Sequence, residues 1–173
     1  SSAQLATPQA RAVAMNYFRT YLRDAEALPL RPFLAALEED HDPAELARRF
    51  GVPLSQVMHR ISCLPQTKDG PETGLVVADN SGSLLHRKGI DGFPLPRFGA
   101  ACSLWPIYEA LARPTQPLRV EIETPPERRF VAYAVSEPGA APAFDAPQIL
   151  RAYMLVMEVQ PAQRSDAAAR PVG

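Results

Sequence analysis

The residues best suited to chemistry lie between positions 86 and 108. His86-Arg87-Lys88 is followed by Arg97-Phe98-Gly99 and then by a stretch holding Cys102, Trp105 and Tyr108. A guanidinium presents a planar fork of donors that matches phosphate oxygens, and Lys88 adds a point charge. Trp105 or Tyr108 offers a flat face to a purine ring. Phosphate contact, ring plane and apolar wall together describe a site for a nucleotide-like ligand with an apolar arm. Gly99, Ala100 and Ala101 precede a helix predicted over 102–112, and their small side chains let an anion approach backbone N–H groups at its positive end. The plainer reading of the same residues makes Phe98 and Trp105 core anchors and the cations a solvated rim.

A second pattern spans residues 42–63 and has the spacing of a helix-turn-helix. Ala47, Gly51 and Val57 stand where two closely crossing helices need a small residue, a glycine turn and an aliphatic. Ser55, Gln56, His59 and Arg60 then become the groove-facing, DNA-binding set. Against this, Glu38-Glu39-Asp40-His41-Asp42 lies immediately upstream and would bring carboxylates to the phosphates first. The alternative is a pair of core helices joined by a glycine turn.

Catalysis finds little support. No paired-histidine zinc motif, Gly-x-Ser-x-Gly elbow, glycine-rich phosphate loop or carboxylate pair at a useful spacing occurs. Cys102, read at a helix start, could act as a nucleophile with His59 or His86, but a cysteine in apolar company is more often inert packing. The chain is read as a non-enzyme. With two cysteines and three histidines it has neither a disulfide framework nor an evident metal site, so no cofactor is expected.

These residues need elements to hold them, and the hydrophobic period supplies two kinds. Residues 6–63 read as helices: Val13, Tyr17, Phe18, Tyr21 and Leu22 fall at spacings of three and four, predicting one buried stripe. Leu28-Pro29-Leu30-Arg31-Pro32 interrupts it, Pro32 suits an early position of a second helix through Leu37, and Asp42 with Pro43 and Glu45 predicts a capping box for a third. A fourth runs through residues 54–63. Beyond Leu64 the period becomes two. Strands are predicted at 74–78 and 83–87, joined by Asp79-Asn80-Ser81-Gly82, and at 117–124 and 130–135 around a Pro-Pro turn. Residues 149–159 fit either a last strand or a helix; the strand is favoured because Tyr153, Leu155, Met157 and Val159 alternate, although Ile149-Leu150 and Met154 break the pattern. The resulting order predicts an α+β chain: N-terminal helices, then a five-stranded antiparallel sheet with a packed helix, as in PAS and GAF sensor domains. The expected divisions are a helical segment 1–64, an α+β ligand-sensing domain 65–160 and a mobile tail 161–173.

Length and charge bound the function. At 173 residues the chain can bury a core of its own, and 46% hydrophobic with 21% charged residues is a globular composition. The net charge of −1 removes the overall field that draws a protein to nucleic acid or anionic membrane. No apolar run approaches the ~20 residues of a membrane span, so a cytoplasmic protein is expected. The start on Ser1-Ser2 without Met reads as a piece of a longer polypeptide.

Three blocks carry a resemblance: Leu46-Ala-Arg-Arg-Phe-Gly-Val-Pro-Leu-Ser-Gln-Val-Met-His-Arg-Ile-Ser-Cys-Leu64, then Asp79-Asn-Ser-Gly82, then Arg97-Phe-Gly-Ala-Ala-Cys-Ser-Leu-Trp-Pro-Ile-Tyr-Glu-Ala110. Over about residues 14–137 the chain resembles the C-terminal region of the short-chain fatty acyl-CoA regulators, bacterial transcription regulators of the XRE type. The most specific piece is Arg-Phe-Gly-x-x-Cys-x-Leu-Trp at 97–105. The resemblance implies an effector-sensing domain for an acyl-CoA or similar anionic small molecule, with DNA bound only through an N-terminal domain absent from this chain. Leu28-Pro-Leu-Arg-Pro-Phe-Leu34 fits the tail of the family's degenerate peptidase-like segment. On this reading Arg87, Lys88 and Arg97 are phosphate contacts, Phe98, Gly99, Cys102, Trp105 and Tyr108 line the pocket, and a homodimer is an open expectation. Members of the family often hold an iron–sulfur cluster through C-terminal cysteines that join the one matching Cys102; residues after Ile149 have none here, so that cluster is not expected. His86, Ser103, Pro106 and Tyr108 also depart from the family's usual Lys, Pro, Asn and His.

Overall fold

Caps written into the sequence set the first helices. In the computed structural model, which describes residues 7–65, 72–94, 105–124, 128–139, 144–145, 147–159 and 170–171, the chain forms two compact units, Ser1–Cys63 and Leu64–Gly173. The first unit holds α1 (Pro8–Ala27), α2 (Leu30–Glu39), α3 (Pro43–Phe50) and α4 (Leu54–Ser62). Thr7 caps α1 by accepting from the Ala10 N–H at 3.1 Å, with Pro8 just inside the helix. Asp42 caps α3 by accepting from the Ala44 N–H at 2.8 Å, but the expected box does not close. The Asp42 N–H goes instead to Asp40 Oδ1 at 2.8 Å, while Glu45 pairs with Arg48 one turn on. Gly51, at φ 64°, ends α3 in the left-handed conformation that glycine adopts without a Cβ clash.

Phe33, Ala36, Leu46, Val57, Met58 and Ile61 are buried here. The stripe predicted for α1 is not. Val13 is 72% exposed, Phe18 56% and Leu22 58%, and the one residue α1 buries is Asp24. Spacing had identified residues that share a helix face, which does not establish that another element covers that face.

The second unit follows the predicted order. Strands β1 (Thr73–Asp79), β2 (Leu84–Lys88), β3 (Leu118–Thr124), β4 (Arg128–Pro138) and β5 (Leu150–Glu158) form a five-stranded antiparallel sheet, with α5 (Pro106–Ala112) between β2 and β3 in sequence. Spatial order is β2-β1-β5-β4-β3, and the two-residue β6 (Arg170–Pro171) adds to β3 in parallel. The last long strand thus joins the β1–β2 hairpin to the β3–β4 hairpin.

The β1–β2 turn is built as its composition predicts. Asp79 Oδ1 accepts from the N–H groups of Ser81 (2.9 Å) and Ser83 (3.0 Å) and from the Ser81 hydroxyl (2.6 Å), and these bonds, the hydroxyl's first, hold the Asp79 carboxyl below its usual range. Helix α5 packs against β3, β4 and β5, over a core that includes Val76, Ala78, Ile122, Phe130, Ala132, Ala134, Ala152, Met154 and Val156.

Among the described residues, one non-glycine backbone position stores strain. Thr115, just past α5, has φ 67°, where a β-branched side chain clashes with its own backbone; its N–H donates to Ser136 O at 2.7 Å, which holds the turn in place. Thr115→Gly keeps that bond and removes the clash. We expect it to raise stability by about 0.5–1 kcal/mol in urea unfolding; an unchanged or lower midpoint would show that the turn carries no strain.

Candidate functional site

Side chains opposite one another across a strand pair project from the same face of the sheet. Arg87 lies opposite Val76, whose side chain is in the core beneath α5, so Arg87 projects from the α5-bearing face, where it is exposed at the β2 edge. Lys88 lies opposite Leu75, on the other face, and its Nζ donates to Thr73 Oγ1 at 3.3 Å. His86, opposite Val77, shares that second face. Grouping Arg87 with Lys88 as phosphate contacts is therefore corrected: only Arg87 stands on the side of Trp105 and Tyr108.

A bulge makes the choice. Ala78 pairs with Leu84 and Val77 with His86, so Leu85 is an extra residue on β2. With unbroken alternation from Leu84, which packs against the core, His86 and Lys88 would have faced α5. The inserted residue inverts the pattern and presents Arg87 there instead.

Trp105 is the N-cap of α5, in extended conformation, and Pro106 is the first residue of the helix. The helix predicted over 102–112 therefore has its described start at Pro106. Trp105 is 1% exposed, with its ring 5.6 Å from Phe93 and tilted 43° to it. Phe93 in turn meets Phe130 edge-on at 5.3 Å. The indole is thus a core anchor and offers no open face for a purine. Its Nε1–H, however, is buried with no hydrogen-bond acceptor among the described residues. Tyr108 is half-buried, and its hydroxyl donates to Gly82 O at 3.4 Å, tying α5 to the β1–β2 turn. A Cβ on Gly82 would lie 3.1 Å from the Tyr108 ring, and Gly82 also has φ 82°, so the turn requires glycine twice over.

Arg97, Phe98, Gly99 and Cys102 lie outside the described residues. Phe93 was missed by sequence reasoning. Its signal was an aromatic between Gly92 and Pro94 in an otherwise turn-forming stretch. Arg128 was missed as well: it reaches Asp91 Oδ2 at 2.9 Å and Glu158 Oε1 at 3.1 Å, pinning the loop that carries Phe93 to β5, and the Glu158 bond above all raises the guanidinium's already high pKa.

The DNA-reading alternative meets the packing of α4. Gln56 and Arg60 are buried, Arg60 Nε donates to Leu28 O at 3.1 Å, and His59 Nδ1 donates to Asp24 Oδ2 at 2.5 Å. Ser55 is half-buried. His59 and Arg60, held by the helices of their own unit, cannot also reach base edges in a groove, and buried Gln56 cannot present its amide there. Cys63 shares a hydrogen bond with the Tyr17 hydroxyl at 3.6 Å; that bond, followed by burial and the charge a thiolate would bring, pushes Tyr17 up to about 12.

Among the described residues no group of histidine, cysteine and carboxylate side chains could hold a metal ion. A cysteine-ligated iron–sulfur cluster takes four ligands, and the two cysteines of this chain do not fit it. No helix among the described residues is long and apolar enough to cross a membrane.

Comparison with known proteins adds the following. Residues 67–170 match the family model described as short-chain fatty acyl coenzyme A regulator, C-terminal. The chain is 39% identical over 163 residues to a propionyl-CoA carboxylase regulator of Cereibacter sphaeroides, an alignment covering 91% of this chain and 35% of that protein. It is 34% identical over 129 residues to the HTH-type transcriptional regulator PrpR of Mycobacterium tuberculosis, covering 73% and 26%. A solved structure titled Mycobacterium tuberculosis transcriptional regulator superposes with a TM-score of 0.73 at 29% identity, over 88% of this chain and 47% of that one. The chain thus spans about a third or less of the curated relatives' length. These relatives are named as regulators, with which the reading of this chain as a non-enzyme agrees.

Proposed function

The chain belongs to the short-chain fatty acyl coenzyme A regulator family, and from that premise we propose that its second unit senses an acyl-CoA-like ligand on behalf of a bacterial transcription regulator of the XRE type. DNA is read by a segment other than this one, and the complete regulator works in the cytoplasm. The observation that carries the reading is the Trp105 Nε1–H, buried without an acceptor among the described residues and following the Arg97-Phe98-Gly99-Ala100-Ala101-Cys102-Ser103-Leu104 segment in sequence. An unpaired buried donor costs about 1–3 kcal/mol, which a ligand bringing a carbonyl or thioester oxygen to it would offset. Arg87, on the same face of the sheet, suits the phosphate end of such a ligand.

A ligand can move such a domain only through differential affinity for two of its states. Residues 91–93, held to Arg128 through Asp91 and bringing Phe93 against Trp105, form the element beside the indole whose position a bound ligand would bias.

Isothermal titration with acetyl-, propionyl- and butyryl-CoA tests the proposal. The expected result is saturable heat with at least one of them, weakened about tenfold by Trp105→Phe, which keeps an aromatic ring and removes the N–H, and about tenfold by Arg87→Ala. Heat equal to buffer across the panel would overturn the reading. Unchanged affinity in Trp105→Phe would remove the indole from the site.

A further inference from the structure

Phe93 is only 5% exposed, yet it stands on neither helix nor strand. It closes a turn in which its N–H donates to Ile90 O at 3.3 Å and Gly92 takes φ 74°. The ties that hold this turn are polar and lie near the surface. Arg128 donates to Asp91 Oδ2 at 2.9 Å and to Glu158 Oε1 at 3.1 Å, and the side chains of Asp91, Arg128 and Glu158 are 85%, 28% and 32% exposed. The Thr124 hydroxyl donates to Gly92 O at 3.2 Å, and the Asp91 N–H to Glu72 Oε2 at 3.3 Å. A Cβ on Gly92 would run into the Arg128 guanidinium, so the cation lies directly against the turn. An aromatic ring is thus pressed onto the Trp105 indole by contacts that can break without disturbing any strand ladder.

We propose that Asp91-Gly92-Phe93 is a plug over the Trp105 indole, hinged at buried Ile90 and latched by Arg128, and that it swings out in the ligand-free protein to give a ligand its way to the indole N–H. The ligand's part in this rests on the reading of Trp105 as part of the site; the opening itself does not. Burial of the Phe93 ring keeps the closed state dominant. The Asp91–Arg128 pair adds the smaller, salt-sensitive increment of a mostly exposed ion pair, which makes the latch easy to release. Segments outside the ladders, held by exposed bonds, are the ones that open locally. Arg128 stays behind when the plug leaves, because Glu158 and the Phe130 ring, 5.6 Å from the guanidinium carbon, hold it on the sheet. It is therefore a positioning residue, ready to take Asp91 back.

Hydrogen exchange of the indole N–H, followed by NMR in the ligand-free chain, tests the plug, since one tryptophan gives one indole signal. Exchange faster than that of the slowest β5 amides and nearly independent of low urea is expected, the mark of an opening smaller than unfolding. Asp91→Ala should speed it about threefold with the β5 amides unchanged. Phe93→Ala should speed it about tenfold, in excess of any change in those amides. Raising NaCl from about 0.02 to 0.5 M should quicken the wild-type indole and leave Asp91→Ala as it was. Stopped-flow mixing with propionyl-CoA then reads the gate: Asp91→Ala should speed association and dissociation alike, about threefold, with affinity nearly unchanged. Indole exchange in step with the β5 amides, with the same urea dependence, would overturn the proposal. So would exchange indifferent to both Asp91→Ala and Phe93→Ala, or a change in dissociation alone, which would make Asp91 a ligand contact instead of a latch. An acyl-CoA that fails to bind removes the ligand reading, and indole exchange still decides whether the plug opens.

Discussion

Phe130→Ala is expected to destabilise the sheet unit by about 3–5 kcal/mol, the range for truncating a fully buried aromatic. Phe130 is 0% exposed on β4, beneath α5, with Phe93 edge-on against it. The loss has two parts: the transfer energy of the ring and the cavity left where β3, β5 and the Phe93 loop cannot close together. Trp105→Ala removes a larger ring, yet it should cost less than ring size implies, because it also removes an unsatisfied N–H worth about 1–3 kcal/mol. The ordering, with Phe130→Ala at least as damaging as Trp105→Ala, is therefore a test of the orphan donor as well as of the core. Urea unfolding followed by circular dichroism measures both variants. For Phe130→Ala the fluorescence of Trp105, the chain's one tryptophan, reports the sheet unit selectively. A Trp105→Ala cost clearly above that of Phe130→Ala would show that the indole N–H is not a liability in the ligand-free protein.

The sheet was legible because its central strands obey period two without interruption. Leu118, Val120 and Ile122 pack toward α5, and Ala152, Met154 and Val156 do the same from β5, where an apolar run had left strand and helix both open. Position in the sheet settled β5: it is paired along both edges, with β1 and with β4, and Leu155 on the face away from α5 is buried too. Three features were not legible, each for a definite reason. The bulge at Leu85 is a pairing irregularity that residue types do not encode, yet it decides that Arg87 and not Lys88 projects from the α5-bearing face. The exposure of Phe18 and Leu22 follows from which neighbours exist, and the helical period records only which residues share a face. Arg60 looked available because it is charged and follows a glycine turn; its burial depends on the α1 carbonyl at Leu28, 32 residues earlier in the chain, which no local pattern announces. Thus the scaffold of the candidate site was read from sequence, while the choice among its cations required pairing registers.

The helical unit should lose about 3 kcal/mol in Asp24→Ala, the low end of the range for removing one member of a buried pair. Asp24 is 1% exposed in the last turns of α1, and His59 of α4 donates to it at 2.5 Å while Arg23 approaches its other oxygen at 3.4 Å. The low end applies because His59 retains 13% side-chain exposure, so water can reach the partner left behind. Arg60 meets the same helix end, donating to the carbonyl of Leu28, the C-cap of α1, which would otherwise lack an intrahelical partner. These two contacts fasten α1 to α4 with polar atoms, which explains how α1 holds its place while its apolar face stays exposed. Asp24→Asn keeps the shape and one acceptor and should cost roughly half as much. Tryptophan fluorescence does not see this unit, so far-UV circular dichroism in urea is the measurement, with loss of helical signal at lower urea expected for both variants. A double-mutant cycle with His59→Ala completes the argument: a coupling of about 1.5 kcal/mol or more assigns the effect to the pair, and additive costs would place it in Asp24's other contacts instead.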